Sequence, residues 1–275
     1  MNRGENVRHL LRNIAIATAF VATGCAMPGG GPASTVSAEL RQEFAPTGTL
    51  RAGVNLGNNA IAQRDPAGGP PRGVGPSLAR ELARQLGVPI TYVTYDSAGK
   101  MGDAVKDWDV AMLAVDPKRA ETIAFSAPYV NIEGAYMVRA GSPYQSNEDL
   151  DRKGTRIAVG AKSGYDLYLS RQLKQAELLR YPTSPAAADA FLGGEIDATA
   201  NVKNILLARA KGRTDVRLIE PAFMVIGQAA GVPQGRPNAA AFLRKFIEEQ
   251  KANGFVEHAL KESNVTEAAV APAAR

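Results

Sequence analysis

Trp108-Asp-Val-Ala-Met-Leu-Ala-Val115, followed at once by Asp116-Pro-Lys-Arg-Ala-Glu121, is the stretch that decides the fold. Its first eight residues form a near-continuous apolar run, the composition of a strand buried within a parallel sheet. Asp116 is a good helix cap, and Pro117 suits the first helical position. A buried strand therefore feeds directly into a helix.

The same alternation extends in both directions. Upstream, Thr49-Leu-Arg-Ala-Gly-Val54 alternates with period two and runs into the turn-rich Asn55-Leu-Gly-Asn-Asn59. Leu78, Leu82 and Leu86 recur every four residues, and Gly87 closes that helix. Pro89 to Tyr95 is β-branched and aromatic, as in a strand. Downstream, strands are expected at 156–160, 195–199, 216–219 and 224–230. Helices are expected over 163–178, 185–192, 201–210 and 237–253, with a last helix carrying Val256 and Leu260. Two successive sets of this kind predict an α/β protein with largely parallel sheets, arranged as two lobes.

The N-terminus carries a different message. Arg3, Arg8 and Arg12 precede the short apolar run Ile14–Ala22, and Ala22-Thr-Gly24 leads into Cys25, the single cysteine. A basic leader, an apolar stretch and small residues before a cut mark an export signal. The run is too short to span a bilayer, which takes about 20 residues. A cysteine at this point resembles the lipoprotein box, so residues 1–24 read as signal peptide. Cys25 reads as the lipidated first residue of the mature chain, and 25–46 as a Gly- and Pro-rich tether. With one cysteine, no internal disulfide is available. The tail 265–275 reads as disordered.

Composition excludes several functions. The formal charge is +5, of which the leader supplies +2 (three Arg against Glu5), leaving +3 on the mature chain. Its charges are interspersed rather than gathered in the basic stripe of a nucleic-acid binder. The histidines are His9 in the leader and His258 near the end, too few for a Ser-His-Asp triad or a His-rich metal site. Gly73-Val-Gly-Pro-Ser-Leu78 begins like a dinucleotide fingerprint but lacks its third glycine and follows a loop. No cofactor is expected.

Several segments together resemble the family-3 extracellular solute-binding proteins, the capture subunits of polar amino-acid ABC importers. They are Gly48–Val54, Leu78–Gly87, Trp108-Asp-Val110, Asp116-Pro-Lys-Arg119 with Ile123–Tyr129, Ile157–Gly160, Gly194–Ala198 and Lys251–Phe255. The resemblance implies a two-lobed periplasmic-binding-protein fold, type II-like, with the ligand in a cleft between lobes. Lobe 1 would comprise 47–138 plus 232–264, and lobe 2 would comprise 139–231. The chain would cross near Val138-Arg-Ala140 and return near Gly227-Gln-Ala229.

The resemblance also implies site residues. Arg119 matches the arginine that grips the ligand carboxylate, a task suited to the two parallel donors of a guanidinium. Ser163 and Gly164 match a second-lobe segment at a helix start, where free N–H groups favour anions. Asn55, Asn58 and Asn59 follow the first strand and can donate to a ligand. Asp116, Asn201 and Gln228 complete the candidates. Asp109 and Asp197 read as strand ends, and Arg171 as an outer helix residue. Where the family has Ser or Thr, this chain has Ala114 and Asp116. Where it has the acid that pairs with the ligand ammonium, this chain has Val202. A small polar carboxylate or amino-acid-like solute is thus expected, handed to an ABC permease by a monomeric, lipid-anchored, non-enzymatic periplasmic protein. The alternative is a periplasmic dehydratase on the same fold, with Asp116 or Glu133 as general acid.

Overall fold

The computed structural model describes residues 36–194 and 196–274, and the leader and Cys25 lie outside them. The described chain is an α/β unit built on one nine-stranded sheet. The first set comprises β1 (Leu50–Asn55), α2 (Val74–Leu86), β2 (Ile90–Tyr95), α3 (Ala98–Asp103), β3 (Val110–Ala114) and α4 (Pro117–Ala120). It is preceded by α1 (Ala38–Phe44). The second set comprises β5 (Arg156–Gly160), α5 (Gly164–Gln172), β6 (Glu177–Tyr181), α6 (Ser184–Leu192), β7 (Ala198–Val202) and α7 (Lys203–Ala210). Two long strands, β4 (Ile123–Arg139) and β8 (Val216–Pro233), run between the sets, and α8 (Pro237–Ala252), α9 (Phe255–Glu262) and β9 (Ala268–Val270) end the chain.

The strand order is β2-β1-β3-β8-β4-β7-β5-β6, with β9 on the edge of β4. Within each set the neighbours are parallel, as the apolar runs predict. The joints are antiparallel: β3 with β8, β8 with β4, and β4 with β7. Pro128 and Gly134 interrupt β4, and Glu220-Pro221 interrupts β8, so the sequence shows fragments where the structure has continuous strands.

Next to the crossing expected at Val138-Arg-Ala140, Gly134–Val138 pair with β7 of the second set. Register slips bracket Pro128, which pairs with Ala229. Two expectations change. The end of the supposed tether is helical: Ser37 caps α1, and Phe44 is fully buried edge-on to Phe242 at 5.9 Å. The Glu43 carboxylate caps α8 by accepting from the Ala239 N–H at 2.7 Å. The supposedly disordered tail is a strand: Ala268–Val270 pairs with Val130–Ile132, an edge of β4 that β7 does not reach. Lys251 Nζ donates to both the Pro128 and Pro272 carbonyls, tying tail and strand to α8.

Asp109 behaves as the strand-end residue expected of it. Its fully buried carboxylate accepts from the Arg51 backbone and guanidinium and from Arg236, joining β1 to the start of α8. Asp197 likewise accepts from the Arg156 N–H at 2.8 Å.

Candidate functional site

The carboxyl ends of β1, β3, β5 and β7 converge where the two sets face each other, the position at which open α/β sheets bind ligands. A cavity of about 30 Å³ lies there. From the first set it is lined by Asn55, Asn58, Ile61, Ala98, Met112, Leu113 and Ala114. From the second it is lined by Ser163, Gly164, Tyr165, Ser184 and Val202, while β8 contributes Ile226 and Gln228.

Three of the polar lining residues, Asn55, Asn58 and Ser163, are held by bonds to nearby backbone. Asn55 Oδ1 accepts from the Gly57 N–H at 2.9 Å, and Asn58 Oδ1 accepts from the Ala60 N–H at 3.2 Å. These turn bonds are typical of Asn, and they leave each NH₂ as the remaining polar group. Ser163 is the N-cap of α5 and accepts from the Asp166 N–H at 3.1 Å. Tyr165 OH is buried, donates to Ser184 Oγ at 2.7 Å and so positions that hydroxyl. Gln228, 5% exposed, faces Ala114 across the β3–β8 ladder.

Five of the nine expected residues therefore meet at the cavity: Asn55, Asn58, Ser163, Gly164 and Gln228. The other four do not line it. Asn59 is exposed and accepts from Asn204 Nδ2 at 2.7 Å, a contact between the two sets. Asn201 is fully buried behind the wall, where Nδ2 donates to the Ser184 carbonyl and Oδ1 accepts from the Val202 N–H. Asp116 caps α4 through the Lys118 N–H at 2.8 Å, and its buried carboxylate pairs with Arg171 at 2.9 Å. Arg171 is thus not the unengaged outer residue its helix position suggested.

Arg119 departs furthest from expectation. Its Nη1 donates to the Ala114 carbonyl at 2.9 Å and its Nη2 to the Lys162 carbonyl at 2.8 Å. The guanidinium lies at the floor of a neighbouring groove of about 860 Å³, beside Gly102 and Asp103, and is 7% exposed. Burial pushes it down to about 10, against the attraction of Asp116 and Asp103, so it stays charged at neutral pH. Lys162 holds a left-handed backbone (φ 52°), donates its N–H to Asp166 at 2.7 Å and pairs its ammonium with Asp103 at 2.6 Å. The first set thus grips the second through Arg119, Asp103, Asp116 and Asn59, all around the cavity and none inside it.

The residues missed by sequence reasoning are Tyr165, Ser184 and the apolar wall. Ser184, one residue before the expected helix start at Pro185, reads as an ordinary capping signal, and nothing local tells it from a lining residue. Gly164 is needed for close approach, since a Cβ there would meet Ala114 Cβ at 3.1 Å. Glu133 sits away from the cavity, paired with Lys203 at 2.9 Å. Among the described residues there is no group of three or more His, Cys, Asp or Glu able to hold a metal, and no helix long and apolar enough to cross a membrane.

Residues 50–263 match the model of the bacterial extracellular solute-binding proteins, family 3. The chain belongs to this family. Solved structures agree on the fold. A mutant of ArgBP from T. maritima superposes with a TM-score of 0.70 at 21% identity, over 82% of this chain and 100% of that one. The cysteine-binding protein from Campylobacter jejuni gives 0.69 at 21%, over 81% and 91%. The ancestral amino acid-binding protein AncCDT-1, described as a precursor of cyclohexadienyl dehydratase, gives 0.68 at 20%, over 80% and 97%. No curated protein matches the chain. The family-3 chain thus has the two-lobed architecture of its relatives, with five of its expected residues on the lining between lobes.

Proposed function

We propose that this family-3 protein is a periplasmic lipoprotein, anchored through Cys25, that captures a small polar solute between its lobes and delivers it to an ABC permease. The observation that carries this reading is the cavity at four strand ends, lined from both lobes by neutral polar groups that local backbone bonds orient. We place the lobe boundary at the register slips around Pro128, opposite Gly227–Ala229. There the two long strands change partners and can flex as hinges. The solved relatives titled as ArgBP and as a cysteine-binding protein support a role in binding a small solute.

A dehydratase needs a protonatable carboxyl group against its substrate. The Asp116 carboxylate is taken up by Arg171 and the Lys118 N–H, and Glu133 is paired with Lys203 away from the cavity. This supports binding over turnover.

The test uses Cys25→Ser. Wild type should fractionate with membranes and the variant should be soluble. Purified from that fraction, the variant should melt higher with some member of a broad solute library and leave that solute chemically intact. At a hundred times its dissociation constant a solute stabilises by about 2.7 kcal/mol, roughly 5–10 °C at this size. A library without a single stabilising solute, or one whose stabilising member is consumed, removes the transport reading.

A further inference from the structure

Resting on that reading, we propose that the cavity selects an uncharged solute of the carboxamide type rather than an amino acid or a carboxylate. No charged side chain is among the residues that line it. The nearby charges are spent elsewhere: Arg119 on two carbonyls, Asp116 on Arg171 and the start of α4, Lys162 on Asp103. Arg119 bonds the carbonyl of Ala114, and it is Ala114 that lines the cavity while the guanidinium lines the groove alongside.

What remains in the wall is a set of neutral groups. Asn55 and Asn58 have committed their side-chain oxygens to backbone N–H groups, and each keeps an NH₂. The Gln228 carboxamide, 5% exposed, has no hydrogen-bond partner among the described residues and offers both a donor and an acceptor. The Ser163 oxygen accepts from a backbone N–H, leaving its hydroxyl proton to donate. A solute carboxamide answers this set: its carbonyl accepts from the Asn NH₂ groups and its own NH₂ donates to Gln228. An ammonium finds no carboxylate here and a carboxylate finds no cation, and burying an unpaired ion is far costlier than burying a paired dipole. The apolar remainder, chiefly Met112, Val202 and Ile226, suits a short aliphatic stem. At about 30 Å³ the cavity holds roughly two waters, so even a short amide is admitted only with some parting of the lobes.

The experiment is calorimetry on the Cys25→Ser chain with charge-matched series: acetamide, acetate and glycine; propionamide, propionate and alanine; butyramide, butyrate and 2-aminobutyrate. In at least one series the amide should bind at least about tenfold more tightly than its charged partners. Gln228→Leu should weaken that amide by about tenfold or more while the solute-free melting temperature stays near the parent value. A carboxylate or amino acid that binds as tightly as its amide overturns the inference and leaves the solute-binding function standing. Silence from all three classes also overturns it, and the broad solute library then decides the function on its own.

Discussion

At the scale of single residues, Arg119 bonds two protein carbonyls, one on each side of the cavity. The segment Asp116-Pro-Lys-Arg119 reads as ligand chemistry, yet its arginine joins the end of β3 to the Lys162 carbonyl of the opposite lobe. Arg119→Ala leaves two carbonyls without their donor while relieving the desolvation of a buried cation. The expected result in urea titration is a loss of about 1–3 kcal/mol of stability, part of which Arg119→Lys restores through one remaining bond. Solute affinity should change by less than about tenfold, because the side chain is off the lining. A larger affinity loss at unchanged stability would return Arg119 to the ligand site.

At the scale of elements, the parallel strands and their helices were legible because each carries a complete local signature. The run 108–115, the Leu78-Leu82-Leu86 stripe and the capped start at Asp116 all correspond to β3, α2 and α4. The long joints were not legible. Their identity depends on pairing across the molecule, and Pro128, Gly134 and Pro221 break the local pattern. The site divides in the same way. Asn55, Asn58 and Ser163 follow or start elements that the sequence marks, whereas the partner that draws Asp116 away is Arg171, distant in sequence. The tail failed for a third reason. Ala- and Pro-rich composition carries no core signal, yet the edge of β4 at Val130–Ile132 supplies a ladder, Ala271 is buried, and Lys251 holds the Pro272 carbonyl. Ending the chain at Asn264 should therefore cost about 1–3 kcal/mol and speed amide exchange in Val130–Ile132, beside the slips in β4. Unchanged melting and exchange would mean that β9 contributes no support to that strand.

At the scale of the whole molecule, two α/β lobes share the long strands β4 and β8 and add polar contacts around a cavity too small for any solute larger than about two waters. On the reading proposed above, binding moves the lobes about β4 and β8, and a solute shifts that equilibrium only by its preference for one arrangement. The contacts Arg171–Asp116, Lys162–Asp103 and Asn204–Asn59 join the two sets without lining the cavity, so on that reading they set the resting balance and the neutral lining sets what tips it. The central claim is that solute and closure are coupled. The most direct test is the distance between spin labels on Arg80→Cys of α2 and Ala208→Cys of α7, both exposed, in the Cys25→Ser background. It is measured by pulsed dipolar spectroscopy with and without the solute that raises the melting temperature. The account predicts a broader, longer distance distribution without solute that narrows and shortens on saturation. An identical distribution in both conditions, with the solute demonstrably bound, would contradict it.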